Sequence, residues 1–489
     1  RLRRTAAAVA LLRWLEAFGP GANIFHYTAT ISACGKVQDW STALQLLGLM
    51  VGNSIDLSTI PCNAAISACA KAGEWMSAID LLSMMSSQGV ELSTTTYSAV
   101  ISACEKAGEW QRALALLNSM SQHSVDVDTT VCSAAISACE KGNEWGQALQ
   151  LLLDTADRYV EVNTITYSAA VSACEKGQQW IKAFQLLTEM TAVLVEAGIV
   201  TCNAAVSACE KSDEWEQAIH LLVDMGARCV EANTITYNAA VSACEKGCEW
   251  RQALQLFGDM ADRRVEAATT TYNAATLACE HTGDWEPALQ LLVEMADLRV
   301  EAETITYGAV LGACKRSMQW ARSLLLLADM VSRFVEADTT TYNVVASACE
   351  AGEEWEPTWE HTLQLFFDMA RRRVEADRIT YNTAVSACAQ ESEWTQAVKL
   401  FVEMKERHME SDTITYSATV KACGKGHELA QMRQIFVEMA AWRAEVNILT
   451  LCPVMQACET SGECRETLQT LVEMTDRADI VMYDVVAMA

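Results

Sequence analysis

Proline is scarce, with five in 489 residues, and half of the chain is hydrophobic, so neither a proline-rich linker nor a disordered chain fits. No apolar run approaches the roughly 20 residues needed to span a bilayer, because polar residues interrupt every segment within a few positions; no membrane partner is implied. No C-x-x-C pair occurs, which argues against a structural zinc site. The only H-x-E, His408-Met409-Glu410, therefore lacks the rest of a zinc deaminase arrangement, and His408 reads as a surface residue in a turn. Neither a glycine-rich phosphate loop nor a paired-carboxylate nuclease motif stands out. The residues thus give no reason to expect an enzyme or a cofactor. Positive charge is also short: 36 Lys and Arg against 63 Asp and Glu leave a formal net charge of -27, which opposes nonspecific attraction to nucleic acid or anionic membrane.

Cysteine, by contrast, is plentiful. Of the 20 cysteines, thirteen, from Cys34, Cys69 and Cys104 on to Cys388, Cys423 and Cys458, occupy one slot of a repeating unit. Equivalent atoms of stacked helical units lie about 9–10 Å apart, beyond the Cα separation of about 7 Å that a disulfide tolerates. These cysteines read as small core residues of a reducing compartment.

The unit is clearest at residues 234–268, and copies begin at residues 24, 59, 94, 129, 164, 199, 234, 269, 304, 339, 378, 413 and 448. The spacing is 35 residues, except that 339–377 carries four extra and 448–479 is three short. The insertion repeats a tryptophan (Trp355, Trp359) four residues on, about one helical turn, with Pro357 placed in a helix's first turn, where it is tolerated. Within 234–268, Tyr237, Val241 and Cys244 follow one helical period, and Trp250, Ala253, Leu254, Phe257 and Met260 follow a second. Between them Gly247 suits a helix C-terminus and Glu249 the start of the next helix. Each unit is a hairpin of two antiparallel helices that cannot bury both faces alone, so the copies stack into a solenoid. Residues 1–23 place Ala8, Leu11, Leu12 and Leu15 in the second-helix pattern, and 480–489 places Tyr483 in the tyrosine slot. Both ends read as truncated repeats around thirteen units at 24–479, so the chain reads as part of a longer protein.

A tetratricopeptide unit would carry tryptophan in its first helix. Here tryptophan opens the second helix, from Trp40 and Trp75 on to Trp355 and Trp394; the first helix opens T-x-T-Y-N or T-x-T-Y-S, and the second ends in methionine. This pattern closely resembles the pentatricopeptide repeat, with the departure that the proline usual near the unit's end is replaced, often by alanine, as at Ala232 and Ala302.

The resemblance implies an all-α, right-handed superhelical solenoid that binds single-stranded RNA at one base per repeat. It implies action on chloroplast or mitochondrial transcripts, alongside other RNA-processing proteins. The family reads bases with the fifth residue of a repeat and its last residue. Carried over, Asn63 with Ser93 implies cytosine, Ser98 with Asp128 guanine, and Ser133 with Asn163 adenine. Asn203 with Asn233 implies a pyrimidine, Asn343 with Asp377 and Asn382 with Asp412 uracil, and Ser417 with Asn447 adenine. The pairs that contain Gly198, Ala268, Glu303, Gly308 or Cys452 depart from the pattern. Independently of the family, the fifth residue follows the buried tyrosine by one position and so points about 100° from the core stripe. The last residue has a second reading as a plain N-cap, which favours Ser, Asn and Asp. The second residue (Phe25, Ile60, Ile165, Val200, Ile235 and equivalents) sandwiches bases in the family, and otherwise reads as inter-repeat packing. The tryptophans, in phase with the core leucines, read as packing.

For the RNA backbone the candidates are Lys36, Lys71, Lys106, Lys141, Lys176, Lys211, Lys246, Arg316 and Lys425, in one slot near the end of the first helix. Their other reading is a solvated helix end favoured by the dipole. About nine such contacts imply a slope near -6 in log affinity against log salt. A protein-binding scaffold that uses the same groove is the alternative function, and the acidity favours it.

Overall fold

The computed structural model describes residues 8–12, 14, 22–53, 55, 57–157, 162–350, 358–409, 411–426, 428, 430–432 and 434–435. The insertion's Trp355 and Pro357, the last reading residue Asn447, and the segments 448–479 and 480–489 lie outside them. Two compact units, Arg1–Gly247 and Cys248–Ala489, divide the chain.

Every regular element among the described residues is an α-helix. In the first unit, first helices begin at Ile24, Thr59, Thr94, Thr129, Thr164, Ile199 and Thr234, and second helices at Trp40, Trp75, Trp110, Trp145, Trp180 and Trp215. In the second unit they begin at Thr269, Thr304, Thr339, Arg378 and Thr413, and at Trp250, Trp285, Trp320, Thr358 and Trp394. Within each unit, a first helix packs on the first helix of the next repeat, and a second helix packs on those first helices of its own and the following repeat that lie in the same unit. Each unit is therefore a two-layer stack in which first helices form one continuous wall, the all-α solenoid class that the periodicity predicts.

The core explains the recurrent residues. The slots of Tyr237, Val241 and Cys244 are fully buried, as are those of Ala253, Leu256, Phe257 and Met260; Leu254 is only half-buried, so the second helix turns slightly from the face its sequence suggests. Burial pushes the thiols of Cys209, Cys279 and Cys349 up to about 12, which keeps them protonated and inert. All seventeen described cysteines are free thiols. Buried tyrosine hydroxyls find acids on the second helix: Tyr307 Oη donates to Asp329 at 2.8 Å and Tyr342 Oη to Asp368 at 2.9 Å, each acid being held by an arginine one turn on, Arg333 and Arg372. Near the N-terminus Leu12 is buried while Leu11 is 63% exposed, so only one of these two leucines enters the core.

The helix ends depart from the expectation for Gly247. Its φ is -75°, and the left-handed residue is the next one, Cys248, at φ 57°. Glycine is required at Gly247 by contact instead: a Cβ there would lie 2.4 Å from Cδ1 of Trp215, and Gly142, Gly177 and Gly426 meet Trp110, Trp145 and Trp394 in the same way. The tryptophan that opens one second helix thus seats under the end of the next repeat's first helix. Where the first helix runs one residue longer, as at Thr59–Ala72 and Thr94–Ala107, Gly73 and Gly108 take the left-handed position themselves. Second helices end in a left-handed residue too, which is leucine at Leu194 and phenylalanine at Phe334. There Leu194 N–H donates to Thr191 O at 3.2 Å and Val195 N–H to Met190 O at 2.9 Å, a Schellman closure.

Two substitutions test this account by thermal or denaturant unfolding. Gly142→Ala lowers stability by about 1–3 kcal/mol through overpacking, and Trp110→Leu in the same chain removes most of that loss. Leu194→Gly, which relieves a left-handed leucine that is 91% exposed, raises stability by about 0.5–1 kcal/mol.

Candidate nucleic-acid interface

One face of the first-helix wall carries the second, fifth, ninth and thirteenth residues of every repeat, since these positions recur on one side of a helix. The second residue stands out from it: in the first unit Phe25, Ile60, Ile165, Val200 and Ile235 are 64–77% exposed, and in the second unit Ile305, Ile379 and Ile414 are 55–59% exposed. Packing between repeats does not cover these apolar side chains. Half-buried beside each lies the fifth residue: Asn63, Ser98, Ser133 and Asn203 in the first unit, Asn382 and Ser417 in the second. Asn343 sits deeper, at 8% exposure.

Among the described residues, the last residue of a repeat is an N-cap with extended backbone wherever its cap geometry is resolved, from Ser58 to Asp412, as the plain reading requires. Ser93, Asp128, Asn163, Asn233, Asp377 and Asp412 each accept a hydrogen bond from the backbone N–H three residues on. The asparagine pairs are nevertheless brought together across repeats. Asn343 Nδ2 donates to Asp377 at 3.1 Å, Asn382 Nδ2 to Asp412 at 3.1 Å, and Asn203 Nδ2 to Asn233 Oδ1 at 3.4 Å. Asn63 turns elsewhere, donating to Thr95 Oγ1 at 3.2 Å, while Ser93 Oγ lies 2.7 Å from the same hydroxyl. The serines bond within their own helices, Ser133 to Thr130 O at 3.0 Å and Ser417 to Ile414 O at 2.9 Å.

Three carboxylates of this row, Asp338, Asp377 and Asp412, are held ionised. Burial opposes the charge on Asp377, but hydrogen bonds from Thr380 N–H, Asn343 Nδ2 and the Thr380 hydroxyl outweigh it and set the group below the usual aspartate range. At Asp412 burial is likewise outweighed, by Thr415 N–H, the Thr415 hydroxyl and Asn382, with help from Arg378. Asp338 follows the same pattern with Thr341.

The cations in the thirteenth slot are exposed, but several are already engaged. Lys141 Nζ lies 3.1 Å from Glu105, Lys176 3.2 Å from Glu140, and Lys211 2.9 Å from Glu175. Lys246 lies 3.8 Å from Glu210 and donates to its carbonyl at 2.9 Å. Arg316 donates to His281 O at 3.0 Å, and Lys425 to Gln390 O at 2.6 Å. Two of these glutamates also take the ninth residue of the next repeat: Ser172 donates to Glu140 at 2.9 Å and Ser242 to Glu210 at 3.1 Å. Sequence spacing placed these glutamates beside the lysine of their own repeat; stacking pairs each with the next repeat's lysine, 36 residues on. The lysine stripe is therefore a ladder of ion pairs, and it supplies much less positive field than the sequence count suggests.

Among the described residues no group of three or more His, Cys, Asp and Glu side chains could hold a metal, and no helix is long and apolar enough to cross a membrane. His408 lies exposed in its turn at φ 56°, as expected.

Family models match this architecture: a pentacotripeptide-repeat region of PRORP over residues 20–129, the PPR repeat over 165–192, 200–230 and 235–265, and the PPR repeat family over 376–425. Together they cover about half of the chain. It belongs to the pentatricopeptide repeat family. Among solved structures this pentatricopeptide chain is similar to the pentatricopeptide repeat protein PPR10 from maize, at 20% identity over 97% of this chain and 71% of that one, with a TM-score of 0.54. PPR10 in complex with an 18-nt psaJ RNA element is also similar, at 22% identity over 97% and 67%, with a TM-score of 0.44. No curated protein matches.

Asp338, Asp377 and Asp412 give the protein an acid limit. Their folded pKa values lie below the unfolded ones, so their contribution to stability is complete above the usual aspartate range and is lost as pH falls through the folded values. Through these three groups stability does not change above about pH 5 and declines from about pH 4 downward. Asp377→Asn flattens part of that decline in melts recorded against pH.

Proposed function

We propose that this pentatricopeptide protein binds single-stranded RNA sequence-selectively, one base per repeat, and acts in the processing, stability or translation of chloroplast or mitochondrial transcripts. The observation that carries the reading is the row of exposed apolar second residues alternating with half-buried Asn and Ser on one wall. An aliphatic side chain beside a hydrogen-bonding amide suits the face and the edge of a splayed base. The proposed reading pairs are Asn63/Ser93, Ser98/Asp128, Ser133/Asn163, Asn203/Asn233, Asn343/Asp377, Asn382/Asp412 and Ser417/Asn447, within an array at 24–479 flanked by partial repeats. The work is binding rather than catalysis, and other RNA-processing proteins would act on the bound transcript.

The Glu–Lys ladder modifies the expected energetics. A phosphate gains a lysine only as that lysine leaves its glutamate, so fewer counterions are exchanged per contact. The salt slope then falls short of about -6, the value for about nine free cations at about 0.7 each, and base contacts carry more of the affinity.

Selection of bound RNA from a random pool at low salt tests the reading. Recovery of a motif with C-G-A early and U-U-A late supports both RNA binding and the residue pairs; a different motif removes only the pairs. Absence of saturable binding leaves the protein-binding scaffold, which the net charge of -27 favours. In filter or anisotropy titrations, Glu140→Gln with Glu175→Gln tightens RNA binding by about two- to five-fold per site, the scale of a surface ion pair, and steepens the salt slope.

A further inference from the structure

The third residue of a repeat is threonine almost throughout and is fully buried, at 0–3% exposure for Thr96, Thr236, Thr306, Thr380 and Thr415. A buried hydroxyl needs partners, and part of the reason is local. Thr380 Oγ1 accepts from the backbone N–H of the cap residue Asp377 at 3.1 Å, as Thr236 does from Asn233 at 3.2 Å and Thr306 from Glu303 at 3.2 Å. The second partner lies in the preceding repeat. Thr96 Oγ1 donates to Asn63 Oδ1 at 2.8 Å and Thr380 Oγ1 to Asn343 Oδ1 at 2.7 Å; Thr236, Thr306 and Thr415 do the same to Asn203, Asn273 and Asn382. Asn238, in the same slot, is followed in sequence by Thr271, whereas the third residues without a free hydroxyl proton, Pro61 and Val131, follow Thr28 and Ser98.

We infer that this threonine is a specificity-positioning residue for the asparagine of the repeat before it, an inference that rests on the RNA reading. An asparagine amide has two nearly isosteric orientations with opposite hydrogen-bonding character. The threonine hydroxyl has a single proton, and at Thr236, Thr380 and Thr415 it lies within reach of both the amide oxygen of the preceding repeat and Oδ1 of its own cap residue; directed at the amide oxygen, that proton holds it toward the repeat interface. The amide nitrogen then turns one proton to the cap side chain, as Asn343 does to Asp377 and Asn382 to Asp412, and keeps the other for a base. The asparagine thus acts as a donor of fixed direction, matched to an acceptor on the base edge, and its setting depends on the following repeat.

Thr341 is a built-in control. Its N–H and hydroxyl both donate to Asp338 Oδ1, at 2.9 and 2.6 Å, as those of Thr380 do to Asp377, and it is 2% exposed, but the repeat before it carries Gly308 in the reading slot and has no amide to orient. The test uses the full chain and RNA probes of the motif that wild type selects from a random pool, each varied at one base; the base facing repeat 339–377 is located as the one whose preference changes in Asn343→Ser. Thr380→Val lowers discrimination at that base by about ten-fold, the scale of one buried hydrogen bond, and leaves preferences at other bases intact. Thr380→Ser restores it, and Thr341→Val changes no preference although it loses the same cap bond. If Thr380→Val melts below the assay temperature, Thr415→Val reads the same effect at the base facing Asn382. A Thr380→Val or Thr415→Val protein that binds RNA with wild-type preference overturns the positioning role alone. Wild type that selects no RNA overturns the RNA reading and this inference with it.

Discussion

The stability of this protein depends on contact between successive repeats. A hairpin of two helices, about 13 residues each as in Thr164–Lys176 and Trp180–Ala192, leaves one side of its first helix open. Isolated helices of that length are marginal in water, and only the next repeat covers the exposed alanine, valine and cysteine positions. The slots that lie in that contact are accordingly the most regular in the chain: a small residue at Cys244, a tyrosine whose hydroxyl reaches an acid, a methionine at Met260, and a tryptophan seated under the following glycine.

The same contact builds the candidate interface. Stacking first helix on first helix sets equivalent residues in rows, so a single exposed isoleucine becomes part of a platform and a single asparagine meets the cap of the next repeat. Reading residues are thereby shared between repeats. Asn343 is defined by Asp377 and Thr380, neither of which belongs to the first helix that carries it. The cap reading and the recognition reading of Asp377 are also compatible, because a carboxylate has several acceptor sites and the cap bond of Thr380 N–H falls on one oxygen.

Electrostatics follows the stacking as well. A chain this acidic would ordinarily be a poor ligand for a polyanion. The half-buried glutamates at Glu105, Glu140, Glu175 and Glu210 hold the lysines of the following repeats in register, which stabilises the wall while muting its positive field. Such exposed pairs each contribute little to stability, so their main consequence is a lower nonspecific affinity. On the proposed RNA reading, recognition leans on base edges rather than on phosphate attraction.

The sequence by itself determined the repeat length, the two helices of each unit, the buried faces and the family, because helical period and core composition are local properties repeated many times over. It also placed the fifth residue off the core stripe. Three things were decided only by the tertiary structure. Gly247 serves a tryptophan 32 residues away rather than a left-handed turn; Lys176 is bound to Glu140; and the amide oxygen of Asn343 meets the hydroxyl of Thr380. Each is a contact between residues roughly one repeat apart. Spacing along the chain fixes which side of a helix a residue occupies, but the offset between stacked helices decides which neighbour it meets.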